Sequence, residues 1–150
     1  MPAVDLASRV GNAAVHPAYF DVRFQIDGMP ADWPAQFVIV SAFATTGQQW
    51  TSAENDAADR RLMEWLAARQ LELTRITGYS PITGHAEPSW AFAMAVEKAR
   101  DLGRQFKQDA IYLVDGDHLS VTHCRPNSEL VGVGLFRERI DIGSLPPRRC

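Results

Sequence analysis

Histidine, carboxylate and hydroxyl side chains gather in one short stretch of this chain, residues 78–92, GYSPITGHAEPSWAF. His85 and Glu87 have the chemistry of a general acid/base pair, or of two metal ligands. Extended backbone alternates its side chains between two sides, so the pair is expected to splay rather than converge. Glu87 precedes Pro88, which holds it extended. A plainer reading competes: the two side chains exchange hydrogen bonds that pin a long loop. Ser80 and Ser89 lack the strand-turn-helix context of a nucleophile elbow. Gly132-x-Gly134 is too short for a dinucleotide fingerprint. Two glycines and two prolines punctuate the stretch, which argues for a loop of roughly ten residues, longer than usual connections and of a length that often carries function.

The remaining candidates are weaker. His118, His123 and Cys124 do not form a closed four-ligand zinc pattern, and no metal or cofactor is expected. Asp115-Gly116-Asp117 between two apolar runs reads as a hairpin turn. Cys124 has no nucleophile motif and reads as a buried or edge thiol. Arg100, Arg104 and Lys107 fall at i, i+4 and i+7 of a helix. With Arg137, Arg139, Arg148 and Arg149 they could make a local nucleic-acid or anion patch, against the alternative of a solvated face. Trp65 and Trp90 read as core. Trp50 and Tyr79 sit in two loops expected to converge and are better placed to touch a ligand or partner.

The elements that must position these residues follow from periodicity. Residues 19–26 alternate, with Phe20, Val22, Phe24 and Ile26 on one side, as in a half-buried strand. Residues 37–43, FVIVSAF, are apolar on both faces and suit a central strand. Thr51 and Glu54 have capping-box spacing. Ala58, Leu62, Trp65, Leu66 and Arg69 follow on one face, which predicts a helix over 52–69. Strands are expected at 71–77 and 89–94, and a second helix at 95–107, where Gly103 could let it lie close to the sheet. A hairpin is expected from 110–114 and 118–124. One further strand is expected over 130–140, weakened by Gly132 and Gly134.

This order predicts an α+β fold: an antiparallel or mixed sheet with both helices on one face. Its β-α-β-β-α-β middle suits a ferredoxin-like arrangement, with extra N- and C-terminal strands. Residues 1–17 read as a mobile arm, 18–142 as one domain and 143–150 as a disordered basic tail. The topology brings the 44–50 loop, the start of the first helix, the 78–88 loop and His123–Arg125 to one sheet edge. It sends Asp115, Asp117 and His118 to the other.

Several segments resemble a bacterial family of uncharacterised proteins, the domain of unknown function 3293 (DUF3293). They are residues 37–43, the helix opening Thr51-Ser52-Ala53-Glu54-Asn55, the loop Gly78…Ser80-Pro81…Gly84-His85-x-Glu87-Pro88-Ser89, and Leu102-Gly103-Arg104-Gln105-Phe106-x-Gln108-Asp109-Ala110. The resemblance runs over about residues 37–114. The family pattern has an Asn-Pro pair after the first core strand where this chain has Thr45-Thr46. The resemblance implies a fold and a shared loop but no activity.

The chain has 150 residues, 46% of them apolar and 22% charged, with a net charge of −3. Such a balance fits one globular domain and gives no overall attraction to nucleic acid or anionic membranes. No window approaches the roughly 18 apolar residues of a membrane span, and the start lacks a signal-peptide pattern. Two cysteines make no disulfide framework, which suggests a cytosolic setting. The leading expectation is a binding or interaction module for an unknown protein or small anionic ligand. Its candidate residues are Trp50, Asn55, Tyr79, Ser80, His85, Glu87 and Ser89. The alternative is a small hydrolase or nuclease-like enzyme using His85 and Glu87.

Overall fold

The computed structural model describes residues 17–26, 33–44 and 50–142. The expected arm over 1–17 (Pro17 apart), the tail over 143–150, and residues 45–49, including Thr45-Thr46, lie outside the described residues. The strands are β1 (Arg23–Ile26), β2 (Gln36–Ser41), β3 (Thr74–Tyr79), β4 (Ala86–Phe92), β5 (Ala110–Asp115), β6 (His118–His123), β7 (Val131–Leu135) and β8 (Ile140–Ile142). The helices are α1 (Ser52–Ala68) and α2 (Val96–Gln105), and 3-10 turns span Pro17–Asp21 and Phe136–Arg139. The strands form one eight-stranded sheet in the order β7-β6-β5-β2-β4-β3-β1-β8. It is mixed: β8 runs parallel to β1, and the other neighbours run antiparallel. The fold is α+β, and nothing in the order β5-β2-β4-β3 conflicts with the ferredoxin-like expectation.

Local sequence explains the elements. The Thr51 hydroxyl accepts from Glu54 N at 3.0 Å, and the Glu54 carboxylate accepts from Thr51 N at 2.8 Å. This capping box satisfies helix-end N–H groups and fixes where α1 starts. Ala58, Leu62 and Leu66 of α1 and Ala99 and Leu102 of α2 share one core with Val38, Val40, Phe92, Ile111 and Leu113. Both helices therefore cover the same face of the sheet. Gly103 is required there: a Cβ would collide with Cys124 Sγ and lie 3.2 Å from Ile111 Cγ2. The β5–β6 turn places Gly116 at φ +66°, the left-handed region that favours glycine.

The helix-free face is concave. A flat eight-stranded sheet would hold its edges about 34 Å apart, at about 4.8 Å per strand. Yet edge strands β7 and β8 are joined by the four-residue turn Phe136–Arg139, which spans only about 8 Å at the usual 3-10 rise. The sheet must curl until its edges approach. Arg139 staples the seam: its guanidinium donates to Phe20 O, Val22 O and Val133 O at 2.8–3.0 Å. Phe136 enters the concave core against Phe24, Trp33 and Phe37.

Four expectations are corrected. The single strand over 130–140 is two, split by the seam turn. The first strand begins at Arg23; the 3-10 turn before it rotates Tyr19, expected to face out, inward against the concave core. The strands around the long loop reach further into it, pairing from Thr74↔Ala91 to Tyr79↔Ala86, which leaves a six-residue turn at 80–85. Pro88 fits inside β4 because Ser80 N donates to His85 O. The alternation from that bond makes Thr77↔Pro88 a pair without hydrogen bonds, so the missing N–H faces a side where β2 has already ended, at Ser41↔Ser89. Finally, Arg100 is not on an exposed face. It is 3% exposed and donates to Thr122 Oγ1, Ser128 O and Glu97. Arg104 is held by Cys124 O and Asp101. The Arg100/Arg104/Lys107 patch thus loses Arg100 to the interior, while Arg104 and Lys107 stay exposed.

Candidate functional site

Because β2 stops at Ser41, the β3–β4 hairpin overhangs it. On the concave side of this overhang lies a cleft of about 90 Å³. Strand parity selects its lining, since every second side chain faces inward. β1 and the turn before it bring Tyr19, Val22 and Phe24; β2 brings Ile39 and Ser41; β4 and its turn bring His85, Glu87 and Ser89; β5 brings Ala110 and Tyr112. Gln108, Gly78, Tyr79, Ser80 and Thr83 complete it.

The expected splaying of His85 and Glu87 is corrected by the same parity: residues two apart on extended backbone share a face. His85 Nε2 and Glu87 Oε2 are 3.0 Å apart, with side chains 62% and 25% exposed. The hydrogen bond to Glu87 raises the His85 pKa above the usual value, and burial opposes it.

Other side chains hold the turn. Ser80 Oγ accepts from Ile82 N and Thr83 N, each at 3.2 Å, and Thr83 Oγ1 accepts from His85 N at 3.2 Å. Gly84, at φ +80°, donates its N–H to Ser80 O. Backbone closure of the turn therefore does not fall to His85 and Glu87.

Across the cleft, Tyr19 and Tyr112 meet edge to face at 5.9 Å, and Phe24 and Tyr112 at 5.3 Å. Burial raises both tyrosine pKa values, and the Glu87 charge adds to each. The carboxylate's field thus reaches the aromatic wall. At the rim, Tyr79 Oη donates to the Asp141 carboxylate, which Arg23 grips with two bonds of 3.0 and 2.9 Å. The Arg23 hydrogen bond holds the Asp141 carboxyl below its ordinary pKa.

The structure brings Tyr79, Ser80, His85, Glu87 and Ser89 together. It does not bring Trp50 or Asn55 to them. Asn55 Oδ1 accepts from Ala44 N at 2.8 Å, bracing the exit from β2. Trp50 lines a separate groove with Arg61, Trp65 and Phe106 on the helix side. Trp65 is only partly buried there, with the Arg69 guanidinium 3.4 Å above its ring. At the α1 N-terminus the capping box engages Glu54 N and Thr51 N. The β5–β6 hairpin places the His123 end beside Ala110 and the Asp115 end away from the cleft, as expected. Among the described residues no three His, Cys, Asp or Glu gather to hold a metal, and no helix is long and apolar enough to cross a membrane.

Sequence reading missed Tyr19, Ser41, Gln108 and Tyr112. Ser41 carried a signal, as a hydroxyl inside an otherwise apolar run. Its Oγ donates to Pro88 O at 3.0 Å and accepts from Phe43 N at 3.0 Å, ending β2 where the hairpin overhangs. Gln108 stood just before an apolar strand; its Nε2 donates to Phe43 O at 2.8 Å.

Residues 40–111 match the profile of a family described as "Protein of unknown function (DUF3293)". The resemblance read from the sequence is shown over that span. It covers both helices, the overhanging hairpin, Ser41, Gln108 and Ala110, while Tyr19, Val22, Phe24 and Tyr112 lie outside it. A search of curated proteins finds no match.

Proposed function

We propose that this chain is a small cytosolic binding domain, and that its site is the cleft under the β3–β4 hairpin. One observation carries the reading. Glu87 and His85 converge at the mouth of a concave, aromatic-walled cavity, while the turn that bears them is closed by Ser80 and Thr83. A polar pair that the turn does not need, set in such a cavity, is the usual composition of a ligand site. Of the working surface expected at 44–51 and 78–89, this cleft takes up the second half; residues 45–49 of the first lie outside the described residues. Among the described residues the lining has His85 as its one basic side chain, so it complements an anion poorly. The buried thiol Cys124, its pKa pushed up to about 12 by burial, is in keeping with a reducing compartment.

The hydrolase alternative lacks support in the hydroxyls. Ser89 Oγ donates to Glu87 O at 3.0 Å, and Ser80 Oγ is engaged by two backbone N–H groups. Neither is hydrogen-bonded to His85 as a nucleophile would be to its base. Crystals soaked in a mixed set of small aromatic fragments test the reading. Fragments are expected between Glu87 and Tyr112. Fragments confined to the Trp50–Trp65 groove, or seated nowhere, overturn it.

A further inference from the structure

The chemical class of the ligand can be read from where the hydrogens in the cleft wall already point; this deepens the binding reading and rests on it. Ser41 Oγ donates to Pro88 O at 3.0 Å and Ser89 Oγ to Glu87 O at 3.0 Å. Tyr112 Oη donates to Tyr19 O at 2.9 Å, and Tyr79 Oη donates to Asp141. The Gln108 amide nitrogen donates to Phe43 O at 2.8 Å, leaving its oxygen. A hydroxyl whose hydrogen is engaged has only lone pairs left for a ligand. Tyr19, Ser80 and Thr83 retain hydroxyl hydrogens, yet the balance of the wall is on the acceptor side. Glu87 adds a carboxylate, of which Oε2 is met by His85 Nε2 at 3.0 Å, and the facing wall is made of aromatic rings.

The geometry points to a protonated primary amine on a small apolar body as the ligand of this cleft. An ammonium brings three donors and no acceptor, which matches Glu87, the lone pairs of Ser89 and Gln108, and the one that Phe43 N leaves on Ser41. A cation is further favoured near aromatic rings, and Tyr19 and Tyr112 line this cavity. The apolar body would lie against Val22, Phe24 and Ile39, which line the same cavity.

The test uses three probes with one apolar body and different heads: benzylamine, benzyl alcohol and benzoate. Each is titrated into isotope-labelled full-length protein, and amide shifts of Ser41, Gly78–Ser89 and Gln108–Tyr112 are followed. Benzylamine is expected to bind at these residues roughly tenfold or more tightly than either other probe, as befits a charge-assisted contact. Glu87→Gln is expected to remove that preference. Equal or tighter binding of the alcohol or benzoate at the same residues overturns the amine class and leaves the cleft as a ligand site. No shift at these residues with any probe removes both. The comparison among probes is made on the parent chain, so it stands even if Glu87→Gln folds poorly.

Discussion

His85 and Glu87 show how much a one-residue offset decides. The residue types were legible, but their convergence follows from β4 extending outward to Ala86, which puts 85, 87 and 89 on one face. A pH prediction belongs to this pair. The His85 pKa is raised chiefly by its bond to Glu87. A raised histidine pKa contributes stability below about pH 6.5, its ordinary value, and loses it as pH rises through the folded-state midpoint. With His85 62% exposed the contribution is small, so its sign is best read from the midpoint itself. In Glu87→Gln, where burial is left to oppose protonation, the NMR titration midpoint of His85 should fall. An unchanged midpoint would mean the pair is not coupled in solution. Asp141 has the opposite sign: its lowered pKa contributes stability that is lost as pH falls through that depressed value. Arg100 is the residue whose role sequence spacing concealed. Its position on a helix turn looked solvated because the chain that covers it, near Ser128, lies 28 residues away. Arg100→Glu should cost about 3 kcal/mol or more, since it leaves the buried Thr122 and the half-buried Ser128 carbonyl facing a carboxylate. A denaturant midpoint within error of the parent would show the burial is wrong.

At the scale of elements, the helices were the most legible part. A capping box and a 3.6-residue apolar stripe are local signals, and α1 and α2 lie within two residues of their expected bounds. Strand ends were less so, because a strand ends where its neighbour stops offering partners. Pro88 looked like a loop residue because only the early end of β2 makes it tolerable. The approach of α2 to the sheet depends on Gly103, and this is testable by a pair of changes. Gly103→Ala gains up to about 1 kcal/mol of helix propensity but drives a methyl into Cys124 Sγ, an overpacking that typically costs about 1–3 kcal/mol. It should be net destabilising. Adding Cys124→Ala should recover part of the loss, so that the double variant is more stable than the two single losses summed. Strict additivity in urea melts would show that the two sites do not touch.

For the whole molecule, the curl of the sheet was the feature sequence could not supply. It depends on β7 and β8, the first and last strands of the sheet order, being linked by one short turn. Glycines at 132 and 134 read as weakness; they sit in an edge strand whose far end feeds the seam. Arg139 holds three carbonyls from two segments across that seam. Arg139→Met should therefore raise amide exchange in β7 and β8 together while β2 and β5 stay protected. A uniform rise across the sheet would place the seam within the global unfolding unit instead. The cleft exists because of this curl, and its claim to function rests on the polar pair at its mouth. Thermal melts of His85→Ala and Glu87→Ala address that claim without any ligand in hand. If the pair serves a ligand, each variant should stay within about 0.5 kcal/mol of the parent or melt higher, as residues free of structural duty do. A loss of about 1–3 kcal/mol in both, the usual cost of a buried partner left unsatisfied, would make the pair a structural pin and contradict the assignment of this cleft as a binding site.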